Sequence, residues 1–169
     1  MLKKTKTSAK NLSKKVFTLK NFETSYQIGE IEVSYKPNLI SKTKITNSDI
    51  AAEILTKIWS DYGFEWVEEV VMLPLNNQNQ ALGFVKLFKG GIINSVFDTR
   101  VILGVALAVQ AVGFIICHNH PSGNLEPSQA DIDVSTLLYS QSTIMQIKML
   151  DSIIISKNGY YSLAENGKF

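Results

Sequence analysis

Apolar positions recur along the chain in alternating periods. Ile50, Ala51, Ile54, Leu55, Ile58 and Trp59 repeat at helical spacing behind Ser48, a favoured N-cap residue, and Gly63 supplies a stop. Residues 66–75 (WVEEVVMLPL) change to a strand-like run, in which Pro74 is awkward for a central strand. Residues 76–80 read as a turn. Residues 81–88 (ALGFVKLF) and 92–97 (IINSVF) read as two more strands, split by Gly90 and Gly91. Asp98 can cap a second helix. Residues 100–112 are apolar almost all round, which predicts a buried helix ended by Gly113. Residues 114–117 form a short apolar strand, 118–127 a loop, and Ser128 opens a third helix to about residue 140. Residues 146–156 form another strand, and Asn158 and Gly159 are a hairpin signal leading to 160–163. The order helix, three strands, helix, strand, helix, strands predicts an α/β (α+β) fold, one mixed sheet sandwiched by helices.

Composition narrows the class. The chain has 169 residues, 45% hydrophobic and 19% charged, enough to bury a core and too apolar for wholesale disorder. The longest apolar run, about residues 101–117, is broken by Gly104, Gln110 and Gly113, so no membrane span is expected. The single cysteine, Cys117, excludes an internal disulfide and a thiolate metal cluster, and points to a reducing, cytoplasmic location. Charge is unevenly spread. Seven lysines fall in the first 20 residues, and the rest of the chain carries ten bases against fifteen acids. Residues 1–47 therefore read as a basic, disordered tail followed by an extended arm around 26–35, with residues 48–169 as the domain. The tail offers weak contact with nucleic acid, though one arginine in the whole chain, Arg100, is few for a dedicated reader of bases.

The chemistry concentrates in one short stretch. His118 and His120 are the two histidines of the chain, two residues apart at the end of a strand, so both imidazoles can reach one point. Cys117 then faces the other way, into the core. Asp131 lies in the first turn of the helix that Ser128 opens, where a carboxylate can turn back toward the strand end. Two imidazoles and one carboxylate make an open catalytic zinc shell. Each piece alone has a simpler explanation: a lone His-x-His is often incidental, and Ser128 with Asp131 is a capping box in form. The joint spacing is the specific signal.

The run HNHPSGNLEPSQAD over residues 118–131 resembles the JAMM (MPN+) metal signature in the form carried by RadC-type proteins. The resemblance extends over about residues 48–169, through LNNQNQ at 75–80, FKG at 88–90 and GYYSL at 159–163, and the element order is similar to the JAMM domain with its cytidine-deaminase-like layering. Residues 1–47 do not resemble the helix-hairpin-helix module of longer RadC proteins. They look like the lead-in of compact forms found near mobile elements. The resemblance implies a Zn2+ ion on His118, His120 and Asp131, with Glu68 as general acid/base. Counting back from Asn76 places the family's acid at Glu68, with Glu69, one residue off and on the opposite face, as the alternative. It also implies that the Ser128 hydroxyl helps to stabilise an oxyanion, and that the reaction is hydrolysis of an amide or isopeptide bond in a protein or peptide. The sequence departs from the family's pattern at Val101, where Glu is common, and at Ser152, where His is common. Those departures keep open a second reading, a DNA-repair-associated or mobile-element-associated binding module whose metal site is structural or vestigial.

Overall fold

The computed structural model describes residues 43–60, 65–90 and 97–169. The basic tail, the arm at 26–35, the stop at Gly63 and most of the strand expected at 92–97 lie outside the described residues. The described elements are α1 (Ser48–Ser60), β1 (Glu69–Leu75), β2 (Val85–Lys89), α2 (Thr99–Ala108), β3 (Gly113–Asn119), α3 (Gln129–Ile144), β4 (Lys148–Ser156) and β5 (Gly159–Ser162). They form one five-stranded mixed sheet in the order β2-β1-β3-β4-β5. Only β3 and β4 run parallel, and α3 makes the crossover between them.

Strand alternation splits the core into two layers. Val71, Leu73 and Leu75 of β1, with Ile115 and Cys117 of β3, pack against Ala51, Leu55 and Trp59 of α1. Their neighbours Val70, Met72, Phe114 and Ile116 pack on the opposite face against Ile102, Leu103 and Ala106 of α2 and Leu138 of α3. β1 and β3 are thus covered on both sides, which is why their sequences are nearly continuous apolar runs. Each fully buried Leu or Ile there contributes about 1.5–3 kcal/mol of transfer free energy.

Several boundaries differ from the sequence reading, each for a local reason. Ser48 is the first residue of α1 and not its cap: Asn47 Oδ1 accepts the Ile50 N–H at 3.1 Å. The Ser48 hydroxyl turns instead to Glu165 and Tyr160. Helix α2 is shorter and less buried than its composition suggests. It ends at Ala108, and the chain reverses through Gln110 in the left-handed region (φ 55°). Val101, Gly104, Leu107 and Ala108 are exposed. Gly113 does not stop a helix but opens β3, where a Cβ would sit 2.8 Å from the Lys148 carbonyl oxygen. Residues 81–84 stay outside the regular strand apart from a bridge between Ala81 and Leu75. Helix α3 runs on to Ile144, and β3 runs two residues into the expected loop, taking in His118 and Asn119.

Pro74 fits because its ring nitrogen faces the β2 edge where β2 has not yet begun. On that side its carbonyl accepts the Leu82 N–H at 2.8 Å. The register shift in β1 lies elsewhere, between Val70 and Val71, with Leu87 of β2 as the extra residue, while β1 pairs with β3 without a break from Val70↔His118 to Leu75↔Gly113. Among the described residues no helix is long and apolar enough to cross a membrane.

Candidate metal centre

The ends of three elements meet at one corner of the sheet. β3 delivers His118 on the face that also carries Ile116, the face covered by α2 and α3. The strand then leaves the sheet through a turn closed by the Gly123 N–H on the His120 carbonyl, 3.0 Å. Gly123 sits at φ 83°, and its carbonyl is held by the Asn158 amide at 2.9 Å. That turn places the Asn124 carbonyl 2.7 Å from His120 Nδ1. The Nδ1–H donates there, so Nε2 carries the lone pair and points inward.

α3 brings the carboxylate. Ser128 caps the helix, and its side chain and that of Asp131 close a reciprocal capping box. Asp131 Oδ2 accepts the Ser128 N–H at 2.8 Å and the Ser128 hydroxyl at 2.6 Å. Oδ1 is left facing His118 Nε2 at 3.3 Å. The two Nε2 atoms are 3.0 Å apart, and the three donor groups lie within 4.8 Å of one another. Two ligands each about 2.0–2.1 Å from a tetrahedral ion stand roughly 3.3 Å apart. The cluster therefore fits a small divalent cation, and two nitrogen lone pairs with one carboxylate oxygen form a donor set that calls for positive charge between them. Burial drives the His118 imidazole down to about 4, against the upward pull of Asp131 and with a further lowering from His120. The neutral imidazole that results is the form that ligates a metal.

The two candidate bases part company at the start of β1. Glu68 lines a cavity of about 190 Å³ with His118 and Asp131, and a larger one of about 530 Å³ with His120, Ser128 and Trp66. Glu69 points the other way and pairs with Lys86 at 3.1 Å and Lys89 at 3.3 Å. The structure thus gathers His118, His120, Asp131, Ser128 and Glu68 at one place. The Ser128 hydroxyl is already donating to Asp131, so it must rotate before it can serve an oxyanion. Cys117 faces the opposite core layer, where burial, and secondarily Asp151, push its thiol well above the ordinary value. Sequence reasoning missed Asn124, whose carbonyl sets the His120 tautomer. Its only local sign was the turn-forming Ser122 and Gly123 just before it.

A profile of the RadC-like JAB domain matches residues 45–168. The chain belongs to that family. It is 37% identical over 132 residues to a UPF0758 protein of Flavobacterium johnsoniae, covering 78% of this chain and 56% of the relative. A UPF0758 protein of Shewanella baltica is 32% identical over 130 residues, 77% of this chain and 56% of the relative. One from Clostridium botulinum is 42% identical over 100 residues, 59% of this chain and 44% of the relative. The chain thus spans about half the length of these relatives. The mixed five-stranded sheet with three helices agrees with a JAB domain, a metal-dependent family.

The two departures from the RadC-type pattern are accommodated differently. Val101 is exposed on the first turn of α2. Ser152 is buried and accepts the Ser135 hydroxyl at 2.9 Å, tying β4 to α3 below the site.

Proposed function

We propose that this RadC-like JAB domain is a zinc-dependent hydrolase of amide or isopeptide bonds in a protein or peptide substrate. The observation that carries the reading is the convergence of His118 Nε2, His120 Nε2 and Asp131, with Glu68 lining both cavities that adjoin them. His118, His120 and Asp131 would hold the ion. A zinc ion held by three protein ligands acts as a Lewis acid and lowers the pKa of bound water to about 7. The remaining work belongs to the chain. Glu68 accepts the proton of the attacking water and returns it to the leaving amine. Asn124 keeps His120 in the ligating tautomer, and Ser128 orients Asp131 until its hydroxyl is released toward the developing oxyanion. The cavity of about 530 Å³ beside His120 and Ser128 gives the scissile segment room to lie. A reducing, cytoplasmic compartment accords with a chain whose one cysteine is a buried thiol.

The test is metal analysis followed by hydrolysis assays on a panel of isopeptide- and peptide-linked substrates. About one zinc per chain is expected, lost when His118 and His120 are both replaced by Ala. Glu68→Gln should keep the metal and lose the hydrolytic rate, and Glu69→Gln should change little. Retention of metal at full occupancy in the double variant would refute the ligand assignment. The seven lysines of the first 20 residues favour a competing reading, a nucleic-acid-associated binding module with a structural ion. That module would bind zinc fully and hydrolyse nothing, and its affinity for DNA would fall with salt and with removal of those lysines.

A further inference from the structure

Asn119 stands between the two candidate ligand histidines, is fully buried, and takes no part in the cluster itself. Its side-chain amide reaches across to β1. Oδ1 accepts the Glu69 N–H at 2.7 Å, and Nδ2 donates to the Val67 carbonyl at 3.0 Å. These two backbone groups flank Glu68 on either side. The backbone ladder between β1 and β3 ends at Val70↔His118, after which β3 turns away and the His120 N–H goes to Ile155 of β4. The Asn119 amide takes over at that point. It presents one acceptor and one donor to the strand beyond the ladder, as a peptide group would. On the opposite edge the Gly90 N–H donates to the Glu68 carbonyl at 2.8 Å. Residues 67–69 are thereby tied on both sides, and strand alternation sends the Glu68 side chain to the face of Val70 and His118.

We propose that Asn119 is a positioning residue: it holds the backbone around Glu68 in register with His118, His120 and Asp131, and so sets the distance from the carboxylate to the metal centre. The inference rests on the reading of Glu68 as the base at that centre. It differs from a general stabilising role in one respect. Whatever Asn119 does to the centre, it does through Glu68.

The cobalt(II)-loaded protein tests this without a substrate. The pH midpoint of its visible spectrum is measured for wild type, Glu68→Gln, Asn119→Ala, Asn119→Ser and the double variant Glu68→Gln/Asn119→Ala, with cobalt content and thermal midpoint recorded for each. Cobalt stoichiometry should be unchanged in the Asn119 variants. Asn119→Ala should move the midpoint in the same direction as Glu68→Gln and by at least half as much, and should add nothing in the Glu68→Gln background. A wild-type midpoint in folded Asn119→Ala, or a shift that adds in full to that of Glu68→Gln, would overturn the inference. If the Ala variant does not fold, Asn119→Ser, which is too short to span both bonds, carries the same expectations. Hydrogen exchange of wild-type protein gives a further arm: the Glu69 amide should be protected like those of β1, and rapid exchange would overturn the clamp. A wild-type midpoint in Glu68→Gln is a separate outcome that strikes at Glu68 as base.

Discussion

Acidifying the metal-free protein should destabilise it well above the range in which ordinary carboxylates titrate. His118 is buried in the α2/α3-facing layer, and its folded-state value stands at about 4 against 6.5 when exposed, with desolvation the chief cause. The sign follows from proton counting. The unfolded chain takes up a proton near pH 6.5 and the folded one only near pH 4, so stability is full above about pH 6.5 and is lost as pH falls toward 4. A gap of that size spans about 3 kcal/mol in all, of which roughly 2 kcal/mol falls between about pH 7 and pH 5. Urea melts of chelator-treated protein at several pH values in that window read it directly. A His118→Asn variant should show a flatter slope over the same range. Free energies of unfolding that stay level, or rise, on going from about pH 7 to pH 5 would refute the reasoning. With saturating zinc the wild-type loss should steepen, since the ion binds only neutral imidazoles and its stabilisation disappears along with them.

Three further outcomes follow from particular contacts. Gly113→Ala puts a Cβ 2.8 Å from the Lys148 carbonyl oxygen and should cost about 1–3 kcal/mol in urea melts, whereas Gly104→Ala, with open space around it in α2, should stabilise by about 0.4–1 kcal/mol. Asp151→Ala strips the Ser152 N–H, the Ser162 hydroxyl and the Ala164 N–H of their buried acceptor and should lower stability by about 1–3 kcal/mol, seen as a reduced urea midpoint at unchanged zinc content. Ser128→Ala removes the hydroxyl that both caps α3 and orients Asp131. It should cost about 1 kcal/mol of stability and weaken zinc affinity about 10–100-fold in competition with a chelator.

The parts of the fold that were legible in the sequence are those whose signal is local. The helical spacing of Ala51, Leu55 and Trp59, the capping pair Ser128 and Asp131, and the turn at Asn76, whose side chain accepts the Gln78 and Gln80 N–H groups, all act within a few residues. The His118, His120 and Asp131 grouping was legible because a strand end and a helix first turn are both short-range constructions. What could not be read depends on distant partners. The exposure of Val101 and Leu107 on α2 depends on what packs against each face of that helix, and composition alone carries no trace of it. Leu87 becomes a bulge only against β1, and Gly113 is required only because Lys148 lies beside it.

Glu68 and Glu69 illustrate the boundary between the two kinds of information. As adjacent carboxylates before an apolar run they are chemically alike, and a count from Asn76 separates them only if the strand keeps its parity all the way back. Pro74 threatened that parity. In the folded chain parity survives because β1 stays in unbroken register with β3 and takes its irregularity on the β2 side. Two long-range interactions then fix the outcome. Lys86 and Lys89 hold the Glu69 carboxylate on the α1-facing side, and the Asn119 amide keeps residues 67–69 extended beyond the end of the ladder. The antiparallel pairing does the rest: it sets the start of β1 beside the end of β3, so a glutamate fifty residues upstream of His118 shares a cavity with it. Moving the β1–β3 register by one residue would exchange the two carboxylates, leaving Glu69 over the histidines and Glu68 among the lysines. The site therefore depends on that register as strictly as on the ligands, and the side chain that continues the register past the last backbone pair is the asparagine lodged between the two histidines.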